Sequence, residues 1–331
     1  MLKKLLKAFN LPVDPLYNSA IMNEFNRYAL KKILIVALLL FEVVIVSAHL
    51  ISIKHPADPP MPAENAKLLN KSSQIKRRQK TIKQNLTAYL KTVTKDKTVS
   101  VSFYNLGAQL NSPAANSEYA DVYREGALQV EANANTPEVS ASTYKLFITA
   151  YLMAQKSKGN FAWTNLTEDG FYRMIVNSEN DFAEQELVHY SLAAINQFIK
   201  HQNWYAPVFS NNRAATTTSH SLQLLLEDLA KGQGAFTNHA DRKKILKLMG
   251  EQKYRTGIPT GVAAATAKTT VADKVGFLND TNNDAGIVTL PNGQRYILVI
   301  MTHGHKQSGL SGFPRIAKIA KQVQTIVYGE Q

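Results

Sequence analysis

One segment limits what the rest of the chain can do. Residues 33–53, ILIVALLLFEVVIVSAHLISI, form a run of 21 in which 15 are Leu, Ile, Val or Phe. As a helix such a run reaches across a hydrocarbon core of about 30 Å. At about −0.3 to −0.6 kcal/mol each, the apolar residues offset a central Glu42, whose cost by analogy with other charged residues is roughly 2.5–3.5 kcal/mol. Lys3, Lys4, Lys7, Arg27, Lys31 and Lys32 precede the run. The excess of cations on that side predicts a cytoplasmic arm over 1–32, a transmembrane signal-anchor over 33–53, and everything later outside the cell membrane. A cleaved signal peptide is the alternative, but its apolar region is usually only about 7–15 residues and has no long arm before it.

Charge follows the same division. The formal net charge is +13, and residues 1–97 hold 17 Lys/Arg against 6 Asp/Glu. The remaining 234 residues are nearly balanced, at 21 against 19. A nucleic-acid-binding globular domain would carry its own basic face, so no nucleic-acid partner is expected. A basic segment beside a membrane suits anionic headgroups or an anionic wall polymer, and residues 67–83 are the expected contact. There is no cysteine, which excludes disulfides and thiolate chemistry.

After the membrane segment, KHPADPPMPAEN (54–65) predicts a stiff, extended start to a Pro-rich and basic linker over 54–71. The domain is expected over 72–331. Ile75, Ile82, Leu86 and Leu90 stand at helical spacing, so the end of the basic stretch should pack on the domain as a helix. TVSVSFYNL (98–106) alternates and predicts a strand; ALQV (127–130) predicts a short second one. Helices are predicted over 142–156, 168–175, 180–200 with a break near Tyr190, 216–232 and 241–252. The fourth has Thr218 or Ser219 as N-cap and Gly232 as its stop. Strands return in TTVADKVGFL, DAGIVTL and QRYILVIMTHG, with LPNGQ as a turn between the last two, and a final helix covers 314–328. Strands from both ends around a helical middle predict an α/β (α+β) sandwich. Its antiparallel sheet is completed by both ends of the domain, flanked by helices, with a helical subdomain.

The chemical signal begins in ASTYKLFITA. Ser142 precedes Lys145 by three residues near a predicted helix start, where positions i and i+3 share a face. A serine at a helix N-terminus has backbone N–H groups directed at developing negative charge. A lysine can act as base only if burial and neighbouring cations depress its pKa, so a second cation should lie nearby. Alone the spacing means little; Ser73 and Lys76 repeat it in the basic stretch. Further along, NSEND supplies Ser178 and Asn180, and ADKVGF supplies Lys274, Gly276 and Phe277. In this order the S-x-x-K, S-x-N and K-x-G elements resemble the penicillin-recognising serine enzymes, the class A β-lactamases and penicillin-binding D,D-peptidases.

The resemblance implies roles. Ser142 would be the acylated nucleophile and Lys145 its base. Ser178 would pass a proton to the leaving nitrogen. Asn180 would hold the substrate amide and Lys274 the substrate carboxylate. Gly276 would let substrate approach the strand. The N–H groups of Ser142 and Phe277 would form the oxyanion hole. The implied partner is a β-lactam or a peptidoglycan-derived D-Ala-type peptide, with no cofactor and no metal. Ser210 with Asn212 repeats S-x-N in a predicted loop, and His303 with His305 has a metal-compatible spacing but no nearby carboxylate cluster.

Three positions depart from the pattern. Glu179 stands for the usual Asp, and Val275 replaces a threonine whose hydroxyl would bind a substrate carboxylate. The third is an absence: class A enzymes carry an omega-loop glutamate that activates water against the acyl-enzyme. No Asp or Glu occurs between Leu187 and Leu226. General-base catalysis typically contributes 10²–10⁴-fold, so acylation without rapid deacylation is expected. The competing expectation is a catalytically degenerate relative that binds the cell wall or acts as a sensor.

Overall fold

Strands from the two ends of the domain meet in one sheet. The computed structural model of the chain describes residues 63–329. The expected arm 1–32 and span 33–53 lie outside these residues. Among the described residues no helix is long and apolar enough to cross a membrane.

Helix α1, Ala63–Val93, runs into β1, Val99–Ala108. Its start at Ala63 makes the last part of the predicted linker helical rather than extended. Ile82, Leu86 and Leu90 are fully buried and Ile75 is half-buried, as their spacing predicts, and Lys83 between them faces water. The short β2, Val130–Ala132, pairs antiparallel with β1. It begins later than the predicted 127–130. Asn105 explains the delay: its side chain takes the Leu128 N–H at 2.8 Å and donates to the carbonyls of Tyr123 and Arg124, holding that stretch as a turn.

The two-residue β3, Glu138–Val139, pairs with β4, Thr216–Thr217, a small sheet with no sequence signal of its own. Between them lies the helical middle: α2 Lys145–Ser157, α3 Asn165–Tyr172, α4 Asp181–Tyr190 and α5 Leu192–His201. The break near Tyr190 falls at Ser191, whose φ is +69° and whose hydroxyl caps α5. Then come α6 Ser219–Lys231 and α7 His239–Gly250. Thr218 caps α6 by accepting the Ser221 N–H, and Gly232 ends it in the left-handed conformation at φ +70°. Helix α8, Ile258–Ala265, was not foreseen; IPTGVAAA is short and mixes Pro and Gly with small residues.

Strands β5 Thr270–Leu278, β6 Thr281–Thr289 and β7 Gln294–Thr302 precede the final helix α9, Phe313–Tyr328. The sheet order is β2-β1-β7-β6-β5, all antiparallel. Helices cover both faces. Ile297, Val299 and Met301 of β7 enter the core with α2 and α6. Tyr296, Leu298 and Ile300 enter the other, with α1, α8 and α9. A strand buried on both sides reads as a continuous apolar run, which is why YILVIM shows no alternation. By its contacts the chain forms one compact unit from Leu69 onward. Edge strand β5 lies against the turn that carries Ser142, and this junction positions the site.

Candidate active site

Ser142 does not sit in the first turn of an α-helix, as its sequence suggests. It sits in a 3₁₀ turn, Ala141–Tyr144, and α2 begins at Lys145. Ala141 just before it has φ +43°, a left-handed conformation costly for a residue with a Cβ. The surroundings hold it there. Ser140 donates its N–H to Ala215 O at 2.8 Å, and Thr143 Oγ1 donates to Ser140 O at 2.6 Å. From β6, Asn283 Nδ2 donates to Val139 O and Ser140 O at 2.8 and 3.0 Å. Asn283 was missed in sequence, where it is one of several polar residues (Thr281, Asn282, Asp284) that open β6.

The lysine reaches the serine. Lys145 Nζ donates to Ser142 Oγ at 2.9 Å, to Ser178 O at 2.7 Å and to Asn180 Oδ1 at 2.7 Å. Lys145 is fully buried, whereas Ser142 is half-exposed. Burial pushes the Lys145 pKa down to about 8, against the opposing pull of Glu184, Asp181 and Glu179. A buried ammonium with three acceptors keeps its geometry yet gives up its proton more readily than one in water.

Ser178 arrives by another unusual route. A π-turn, Arg173–Asn177, follows α3, and Ser178 itself has φ +62°. Its hydroxyl accepts a hydrogen bond from Lys274 Nζ at 2.7 Å. Lys274 also donates to Val275 O at 2.9 Å and is fully buried. Desolvation, then the Lys145 charge, drives its pKa well down; Asp273 and Asp284 oppose both. Asn180, exposed at the N-cap of α4, gives its carbonyl oxygen to Lys145, so its Nδ2 has no partner among the described residues.

Gly276 makes room, but for the nucleophile turn. A Cβ there would stand 2.8 Å from Ser140 O, 2.8 Å from Ser142 N and 2.9 Å from Thr143 N. Phe277 follows it on β5, and its ring packs on Tyr254 and Phe313, 5.2 and 6.4 Å between centroids. Only the backbone of Phe277 is therefore left for the cleft. Val275 is fully buried in the core between sheet and terminal helices. Its missing hydroxyl changes that core rather than the surface of the cleft.

Beneath Lys274 lies a group that sequence reasoning missed. Asp273 and Asp284 are both fully buried and act on each other, while Asp273 Oδ2 and Asp284 Oδ1 have no hydrogen-bond partner among the described residues. Arg255 Nη1 donates to Asp273 Oδ1 at 2.5 Å, and Asp284 Oδ2 accepts the Ile258 N–H at 2.8 Å. Burial raises both carboxyl pKa values, that of Asp284 to about 7. Two carboxyls in contact can be satisfied there by one shared proton.

The remaining candidates separate. Ser210 and Asn212 lie exposed in the loop before β4. His303 pairs with Glu138 at 3.4 Å and His305 with Asp96 at 2.6 Å, on different partners. No cluster of three or more His, Asp or Glu suited to a metal occurs among the described residues. Ser73 and Lys76 lie on the solvent side of α1.

Comparison with known proteins follows this geometry. A family model described as the β-lactamase enzyme family matches residues 167–328, a span that starts after Ser142 and Lys145. Among solved structures the chain is similar to a mutant of PBP-A in an acyl-enzyme complex with penicillin G. Identity is 20% and the TM-score 0.57, covering 74% of this chain and 95% of that one. It is similar to a β-lactamase from Sphaerobacter thermophilus, at 17% identity and TM-score 0.58 over 73% and 96% of the two chains. A class A β-lactamase from Bacteroides cellulosilyticus gives 17%, 0.57, and coverage of 75% and 97%. No curated protein matches by sequence. The chain has the serine β-lactamase fold, and within it residues 167–328 match the model of the β-lactamase enzyme family.

Proposed function

We propose that this chain is a serine hydrolase that forms an acyl-enzyme on Ser142 with β-lactams or D-Ala-type cell-wall peptides. The observation that carries this reading is the 2.9 Å hydrogen bond between Ser142 Oγ and a fully buried Lys145 whose pKa is lowered to about 8. Neutral Lys145 takes the Ser142 proton as Oγ attacks the carbonyl carbon. The N–H groups of Ser142 and Phe277 stabilise the oxyanion, each such donor being worth about 3–4 kcal/mol. Ser178, held by Lys274, passes its proton to the leaving nitrogen. The Asn180 Nδ2 binds the substrate amide and Lys274 draws the substrate carboxylate.

Release of the acyl group is slow in this reading. The loop between α5 and α6 contains no carboxylate. It is tied down by Asn196, whose side chain bonds the Val208 and Phe209 N–H groups and Phe209 O. Phe209 then packs edge-on against Tyr144, 5.7 Å between centroids. Phe209 is buried in the core with α2 and α6, so the loop packs an aromatic ring there and offers no carboxylate.

Intact-mass measurement of the full-length chain after incubation with penicillin G tests the reading. One drug mass should add to the protein, and Ser142→Ala should show none. A folded wild-type chain that neither gains mass nor consumes drug would favour the alternative, a non-catalytic wall-binding or sensor module. The missing loop carboxylate is what favours that second reading. Acylation should also speed up as pH rises through about 8, because only neutral Lys145 accepts the proton; a rate flat from pH 6 to 9.5 would remove Lys145 from that role.

The placement of this chemistry is part of the proposal. Residues 1–32 stay in the cytoplasm, 33–53 anchor the chain in the cell membrane, 54–71 act as linker, and 72–331 work outside. The run of apolar residues at 33–53 and the cations before it support this. Lys76, Lys80 and Lys83 line an open groove of about 710 Å³ beside α1 and form no ion pair among the described residues. Anionic headgroups or wall polymer would satisfy them.

A further inference from the structure

We infer that Glu184 on α4 is the general base for what hydrolysis of the Ser142 ester does occur, standing in for the carboxylate that the loop between α5 and α6 lacks. The inference rests on the acyl-enzyme reading above and names a residue for the step that reading leaves open.

Three acids act on the Lys145 ammonium, and Glu184 acts most strongly, ahead of Asp181 and Glu179. The other two are occupied. Arg173 donates to Glu179 Oε2 at 3.3 Å and to Asp181 Oδ2, and Asn177 Nδ2 donates to Glu179 Oε1 at 2.9 Å. Both acids are held by Arg173 of the π-turn. Glu184 alone of the three has no ion pair and no side-chain hydrogen bond among the described residues.

Its position follows from the helix. The Glu184 N–H donates to Asn180 O at 2.8 Å, one full turn along. Residues four apart share a helix face. Asn180 turns its carbonyl oxygen to Lys145 Nζ at 2.7 Å, so Glu184 stands one helical turn beyond a residue bonded to the lysine, on the exposed side of α4. The Glu184 charge also acts on the Tyr144 phenol, which lies between Ser142 and Lys145 in the chain. Around it is an open groove of about 570 Å³ lined by Asp181, Glu184, Gln185, Val188 and His189, wide enough for water to reach the carboxylate.

The step balances without further reagents. Water oxygen attacks the ester carbonyl carbon while the Glu184 carboxylate takes one of its protons. The tetrahedral intermediate collapses, the bond from carbon to Ser142 Oγ breaks, and that proton passes to the departing serine oxygen. Free enzyme and a carboxylic acid result. Glu184 is exposed to water rather than enclosed with the ester, which accounts for a step that works slowly.

The test is the lifetime of the penicillin G label on the full-length chain, followed by intact mass after removal of free drug. Glu184→Gln should still be labelled, and the label should last about 10²-fold longer than on wild type. Glu184→Asp should fall between the two, and Asp181→Asn should match wild type. A Glu184→Gln label lost at the wild-type rate would overturn the inference, as would Asp181→Asn lengthening it equally. Failure of folded wild type to take any label would overturn the acyl-enzyme reading and Glu184 with it. Labelled fraction and label lifetime are separate readouts, so the two failures are distinct.

Discussion

Lys145→Met should slow penicillin labelling of Ser142 by about 10²- to 10⁴-fold, the range general-base catalysis supplies. Methionine keeps the length and fills the space of the buried stem, but it can neither take the Ser142 proton nor donate. The loss should not come from unfolding. Lys145 carries a charge in full burial, and its desolvation is unfavourable to the fold. Removing that charge offsets the hydrogen bonds lost at Ser178 O and Asn180 Oδ1. The thermal midpoint should therefore stay within a few degrees of wild type while labelling collapses. Labelling at the wild-type rate would mean that another group deprotonates Ser142.

Gly276→Ala tests the site from the opposite side, by adding one carbon. Its φ lies outside the left-handed region, so strain in the backbone is not the issue. Space is. The new Cβ would meet three backbone atoms of the nucleophile turn at 2.8–2.9 Å, and none of these can rotate away as a side chain would. The turn must move off β5 by a few tenths of an ångström or more, although Asn283 and Ala215 hold it in place. Overpacking of this kind costs about 1–3 kcal/mol. A displacement near 1 Å at a reacting atom costs about 10²-fold in rate. The variant should unfold several degrees earlier and label about 10²-fold more slowly. A variant as stable and as reactive as wild type would show that the turn does not rest on Gly276 in solution.

These two residues differ in how they could be read. Lys145 was legible because its spacing from Ser142 is local and is followed in order by S-x-N and K-x-G; the spacing alone, which Ser73 and Lys76 repeat, would not have chosen it. Gly276 was legible as a member of a motif, but what it makes room for was not. That depends on the turn at 140–143 meeting the edge of β5, two segments more than 130 residues apart. No local pattern carries such a distance.

The chain's own order of residues was enough for most of the fold's parts. Thr218 and Gly232 bound α6 because a side-chain cap and a left-handed stop are chemical properties of those residues. Ile82, Leu86 and Leu90 had to face a core because water excludes them from any other position on α1. The absence of Asp and Glu between Leu187 and Leu226 was also a fact of sequence alone.

The tertiary structure decided the rest, because the rest depends on what packs against what. The side chain of Val275 goes into the core, since β5 is covered on that face by the terminal helices. Asp273 and Asp284 come from different strands, and only the register of β5 on β6 brings their carboxyls together beneath Lys274. Glu184 looked like any surface acid of an amphipathic helix. It became a candidate base only when Arg173 had taken its neighbours and Asn180, one turn before it on α4, had bonded Lys145. Charge, cap and period are properties a residue carries with it, whereas burial, pairing and reach come from the neighbours that folding supplies.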